Sequence, residues 1–181
     1  MSANKMSLPS YHTNTPLHTS FAQDLLDVHL IYDYDAEDDN GNPEKWRYEM
    51  WFMSESRCVY AIHGGPMKGR YNYQTISVQC IRPGELWQVN WLEETGTICS
   101  LVYDITNGTV TTLLGFSKGH WENADAAHGD KRNPDDFARW KGLADIGRQT
   151  DRFMLSEQAH IVEKFRGPGN LRPVSPDVVT L

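Results

Sequence analysis

Residues two apart on an extended strand point to the same side, so strand spacing decides which side chains act together. In HLIYDYD (29–35), Leu30, Tyr32 and Tyr34 share one face, and His29, Ile31 and Asp33 share the other. Two phenols side by side on an otherwise apolar face form a paired hydrogen-bonding platform, although ordinary sheet tyrosines reaching a rim have the same spacing. Trp87, Val89, Trp91 and Glu93 make a second row. A carboxylate ending an aromatic row is costly to bury without a partner, and burial raises its pKa. A glutamic acid held near neutrality can deliver a proton near pH 7, whereas one in water at a strand end is merely solvated. Arg70, in HGGPMKGRY (63–71), follows glycines that allow close approach, and its planar fork suits a carboxylate. A surface arginine in a turn is the plainer alternative.

Seven histidines are present, but in no HxH or HExxH spacing, and His29 and His63 are expected on the exterior. No metal is expected. Neither a GxGxxG nor a GxxxxGK[ST] phosphate cradle occurs, and there is no GxSxG nucleophile elbow. The sequence offers no phosphate cradle and no covalent machinery.

The elements that must position these groups are short and regular. Period-two runs cover 27–35, 45–54, 57–63, 68–74, 75–82, 85–93, 97–104 and 109–116. Between them lie turn sequences such as DDNGNP, HGGP, RPGE, EETG and TNG. This predicts a mainly β domain over 23–166, an antiparallel up-and-down meander of eight to nine strands, closed into a barrel so that no edge is left open. Residues 1–22 predict a flexible arm, and 118–133 a long polar loop. Asn133 followed by Pro134, Asp135 and Asp136 starts a helix over about 134–147, with Phe137, Trp140, Leu143 and Ala144 at helical spacing and Gly147 as its stop. An extended stretch at 159–165 adds a strand, and 167–181 predicts a loose tail.

The 181 residues carry 17 Lys+Arg against 24 Asp+Glu, a formal charge of −7, without a basic stripe. That balance disfavours nucleic acid and anionic membranes as partners. No run of 18 apolar residues exists for a spanning helix, and residues 1–20 lack the apolar stretch of a secretion signal, so a cytoplasmic protein is expected. Cys58, Cys80 and Cys99 are an odd set without CxxC spacing and are expected as free thiols. Aromatics make up 11% of the chain, which fits pleated surfaces around an apolar pocket.

Four segments in this order, HLIYDYD (29–35), WRYE (46–49), YAIHGGPMKGRY (60–71) and NWLEETGT (90–97), resemble the phenolic acid decarboxylases. DRFMLSEQAHIVEKF from residue 151 onward looks like that family's closing segment. The resemblance implies a small lipocalin-like β-barrel, a homodimer, no cofactor and a small phenolic acid as substrate. It also implies Tyr32, Tyr34, Arg70 and Glu93 as catalytic positions and Tyr48 as a substrate contact. Trp46 and Trp91 would complete a flat aromatic slot. Three positions and one turn depart from the family's usual pattern: Glu94 stands for Pro, Tyr71 for Trp, Asp33 for Thr, and the first turn (36–45) is longer. A second acid beside Glu93 is expected to alter its protonation.

The implied reaction is loss of CO2 from a para-hydroxycinnamic acid of the coumaric, ferulic or caffeic type, giving a 4-vinylphenol. Glu93 would protonate the alkene carbon next to the carboxylate, forming a quinone methide. Donors that strengthen on the developing phenolate lower the barrier, which favours the phenol end for Tyr32 and Tyr34. The alternative is a non-catalytic barrel that binds an aromatic or hydrophobic small molecule. A diverged relative acting on another unsaturated acid is the third reading.

Overall fold

The computed structural model describes residues 15–181. Ten strands form one sheet in the order β5-β6-β7-β8-β10-β1-β2-β3-β4-β9. They are β1 (Val28–Glu37), β2 (Pro43–Ser54), β3 (Arg57–Ile62), β4 (Arg70–Thr75), β5 (Ser77–Arg82), β6 (Leu86–Leu92), β7 (Ile98–Asp104), β8 (Thr109–Ser117), β9 (Gly129–Asp130) and β10 (Arg152–Arg166). The eight period-two runs all appear as strands.

Three features differ from expectation. First, β10 is 15 residues long rather than seven and pairs antiparallel with both β8 and β1, so the last long strand joins the two arms of the meander. Second, the ladder does not close: β5 and β9 are its edges. Only Ile76 separates β4 from β5. A one-residue link cannot make the two-residue hairpin that antiparallel pairing needs, so β5 pairs with β6 alone. The sheet still curls far enough for Tyr60 on β3 and Asn72 and Gln74 on β4 to bond residues just past β6. Third, the 118–133 loop contains α2 (Lys118–Glu122), a 3₁₀ turn (Ala124–Ala127) and β9. These pieces are too short to show a period.

The inner face buries the apolar half of each alternation, including Leu30, Met50, Phe52, Trp87, Val89 and Leu101. Of the expected arm, residues 1–14 lie outside the described residues. Its end is ordered: α1 (Phe21–Asp24) buries Phe21, whose ring meets Trp87 edge-on at 5.8 Å. Asp24 Oδ2 accepts from Trp87 Nε1 at 3.0 Å, which fixes this plug to β6.

The expected helix forms as α3 (Pro134–Leu143), with the Asn133 side chain accepting from the Asp135 N–H. It stops four residues short of Gly147. Ala144, Asp145 and Ile146 bond back three residues, as in a tightening last turn, before Gly147 redirects the chain at φ +84°. The tail from Gly167 has no regular structure, yet it is docked rather than loose. Leu171 packs on Trp51, Val59, Ala61 and Tyr73, apolar side chains that the outer face would otherwise expose. Thr180 Oγ1 also meets Thr75 Oγ1 at 2.9 Å. His29 and His63 do sit on the outer face, but His29 is fully buried. It stacks on Phe165 at 4.2 Å, and both histidines bond the Glu49 carboxylate.

Candidate active site

Alternation on β1 and β2 turns Tyr32, Tyr34 and Tyr48 into one cavity enclosed by the curled sheet. Their ring centroids lie 5.4–5.9 Å apart, two pairs edge-to-face and one stacked. Tyr34 Oη and Thr112 Oγ1 are hydrogen-bonded at 2.5 Å. Burial pushes all three phenols up, Tyr32 well above its ordinary value, so they remain neutral hydroxyls at working pH.

Across the cavity β6 delivers Trp91 and, one step past its end, Glu93. The turn EETG is pinned by Glu93 N–H to Thr97 O at 2.9 Å and Gly96 N–H to Glu93 O at 2.8 Å. Gly96 sits at φ +80°, a conformation that suits glycine. Glu93 is only 6% exposed. Its Oε1 accepts from the Tyr60 hydroxyl in a short bond and from Trp91 Nε1 at 3.4 Å. Its Oε2 accepts from Arg70 Nη2 at 3.2 Å and Thr95 Oγ1 at 3.3 Å.

Arg70 is fully buried. Its guanidinium lies over the Trp140 ring at 3.8 Å, and Nη1 donates to Ala127 O at 3.0 Å. Burial works against its charge, but Glu93, Tyr60 and Glu94 more than offset that and hold it protonated. The same Nη2 donates to Glu94 in a short bond. Glu94 points away from the cavity, where Asn72, Gln74 and Lys131 also donate to it. Burial would raise its pKa, yet the Arg70 and Lys131 charges pull the carboxyl well below its ordinary value. The second acid is therefore a partner of Arg70 and Lys131 on the far side, rather than a neighbour of Glu93 inside the cavity.

Tyr32, Tyr34, Tyr48, Arg70, Trp91 and Glu93 all line one cavity. Trp46 is not among its lining residues. It sits at the outer end of β2 beneath Gly65, where any Cβ would come within 2.6 Å of the indole.

Sequence reasoning singled out neither Tyr60 nor His120, both of which line the cavity. Tyr60 shares the inward phase of β3 with Cys58 and Ile62, so alternation alone could have found it. His120 lies on a five-residue helix with no detectable period. Its Nδ1 meets Thr97 Oγ1 at 2.7 Å and Thr95 Oγ1 at 3.0 Å, while Nε2 has no partner among the described residues. Burial holds its pKa well below the ordinary value, so the imidazole is neutral.

The arrangement can hold a planar aromatic acid: neutral phenolic donors on one wall, and a carboxyl tied to a guanidinium on the other. A family model described as "Phenolic acid decarboxylase (PAD)" matches residues 22–128, more than half of the chain and every residue of this cavity. The chain belongs to the phenolic acid decarboxylase family. Over 97 residues, 53% of this chain, it is 31% identical to phenolic acid decarboxylase PadC of Bacillus subtilis (strain 168), covering 55% of that protein. Over 95 residues, 52% of this chain, it is 26% identical to a probable phenolic acid decarboxylase of Vibrio cholerae serotype O1, covering 49% of it. The chain thus spans about half the length of the curated relatives it matches. The match ends before α3, β10 and the docked tail.

Proposed function

We propose that this member of the phenolic acid decarboxylase family removes CO2 from para-hydroxycinnamic acids of the coumaric, ferulic or caffeic type without a cofactor. The observation that carries the reading is Glu93, buried and hydrogen-bonded to Arg70 and Tyr60, facing three neutral tyrosines across an aromatic cavity. A carrier of neutral ligands has no use for a buried carboxyl tied to a guanidinium.

In this scheme the phenol end lies against Tyr32, Tyr34 and Tyr48, and the alkene against Glu93. Arg70 and Lys131 balance Glu93 and Glu94, so the cluster as it stands carries no net charge. A substrate carboxylate adds one negative charge, and a proton arriving on Glu93 restores the balance. Glu93 passes that proton to the alkene carbon beside the carboxylate as the phenol releases its own to solvent, forming a quinone methide. The tyrosine hydroxyls donate most strongly to the oxygen that becomes anionic, which favours the transition state over the bound substrate. The bond to CO2 then breaks, and its electron pair restores the ring and leaves a vinyl group. The phenol regains its proton and Glu93 is recharged from solvent, so one proton is consumed per carboxylate.

The curled sheet then acts as a barrel of the lipocalin-like kind, in a homodimeric, cytoplasmic enzyme; gel filtration reads the dimer. Incubation with p-coumarate, ferulate and caffeate, followed by loss of cinnamate absorbance and appearance of the vinylphenol, tests the reaction. No turnover of any of the three would overturn it.

A further inference from the structure

Lys131 stands outside the cavity and touches no reacting atom, and the decarboxylation scheme uses only its charge. It is nevertheless 2% exposed, and an ammonium is among the costliest groups to bury. Four acceptors surround its Nζ: Glu94 Oε2 at 2.7 Å, Thr180 O at 2.8 Å, Tyr73 O at 2.9 Å and Gln74 Oε1 at 3.2 Å. The rings of Tyr73 and Phe137 flank it at 4.8 and 5.2 Å. Lys131, Glu94, Arg70 and Glu93 therefore form one row of alternating charge that runs from the docked tail to the cavity. Lys131 and Thr180 both lie beyond the residues that the family model matches.

We propose that Lys131 is a positioning residue for the site, holding Glu94 from behind so that Arg70 stays shared with Glu93 and the cluster can accept an anion. The proposal rests on the decarboxylase reading above. Its physical content is a charge count. Without Lys131 the remaining row carries one net negative charge, Glu94 draws Arg70 toward itself, and an incoming carboxylate is repelled. Without the Glu94 charge the row carries one net positive charge. Without both, Arg70 and Glu93 balance again. The titratable groups facing this row are Tyr60 on β3, Tyr73 on β4, Cys99 on β7 and His120 on α2.

The test compares Lys131→Met, Glu94→Gln and the double variant with the wild-type chain, in two readouts. One is the pH profile of kcat/KM on p-coumarate. The other is the Kd of the saturated analogue of p-coumarate, which cannot react, followed by tryptophan fluorescence. Lys131→Met should lower kcat/KM about tenfold or more and move the profile up by about one pH unit, with weaker analogue binding. Glu94→Gln should move the profile in the opposite direction, and the double variant should restore both readouts toward wild type. Shifts of the same sign, or no recovery in the double variant, overturn the proposal. If Lys131→Met does not fold, the opposite shift in Glu94→Gln and its reversal in the double variant decide the matter. Wild-type chain that binds the analogue without turning over any cinnamate overturns the decarboxylase reading alone, and the binding series still tests Lys131. Wild-type chain that neither binds nor turns over overturns both.

Discussion

Arg70 reaches Glu93 through a single guanidinium nitrogen, at 3.2 Å, and that nitrogen is simultaneously gripped by Glu94. Glu93 is thus fixed in place without a monopoly on the cation beside it. The Arg70 charge is shared between two carboxylates rather than committed to one bidentate pair.

Replacing Glu93 by Gln removes the transferable proton and keeps one acceptor oxygen for Arg70, while the amide NH2 can donate to the Tyr60 hydroxyl. The variant should fold, with an unchanged near-UV circular dichroism spectrum. Its kcat on p-coumarate should fall at least ~10²-fold. Full activity would remove Glu93 from the proton-transfer step.

The buried phenols make a prediction at alkaline pH. Tyr32, Tyr34, Tyr48 and Tyr60 are all raised by burial above the value of about 10 expected in the unfolded chain. Their contribution to stability is therefore complete below pH ~10 and is lost as pH climbs from there toward their native values. Denaturant midpoints should be level up to that point and then fall. The tyrosinate absorbance of these four should appear together with unfolding, rather than as a gradual titration of native protein.

Much of this site was legible in the sequence because strand alternation is a strict rule. The inward phase of Tyr32 and Tyr34, and of Trp87, Val89, Trp91 and Glu93, follows from counting by two. Tyr60 obeys the same rule and opens one of the family-like segments (60–71), but nothing in that segment sets it apart from an ordinary inward tyrosine. His120 and Lys131 were illegible for a different reason: each sits on a connection whose path depends on packing between distant elements. The buried state of Lys131 requires β4, α3, the EETG turn and Thr180 at once, and no local pattern encodes four such partners. Closure failed as an expectation because hydrophobic periodicity reports faces, whereas the break between β4 and β5 is set by a one-residue link.

Asp33 offers a contrast with Glu94, since it also departs from the family's usual pattern. It faces outward on β1 and takes a bidentate bond from Arg47, Nε and Nη2 both at 2.8 Å. Those hydrogen bonds lower its pKa, but the Arg47 side chain is 49% exposed. Asp33→Thr should cost at most ~1 kcal/mol in chemical denaturation and leave kcat/KM unchanged. A large loss of activity would show that the outer face of β1 communicates with the cavity.

The thiols should separate cleanly. Cys58 and Cys99 are buried on the inner face, and burial pushes the Cys58 thiol up to about 12 and that of Cys99 well above its ordinary value. Cys80 is partly exposed on the edge strand β5. A thiol reagent at neutral pH should label one cysteine quickly in native protein and three in denaturant. Mass spectrometry should place the rapid label on Cys80.

The long strand β10 also sets an order of events during synthesis. Among the described residues it is the only partner of β8 on one side and of β1 on the other, so those two strands wait with open edges until residue 166 has been made. The span from 22 to 128 that matches the family carries every cavity residue, yet cut off there it would present two long unsatisfied strands to its neighbours. The ribosome therefore releases a nearly finished cavity wall well before it releases the piece that keeps that wall from sticking to another copy.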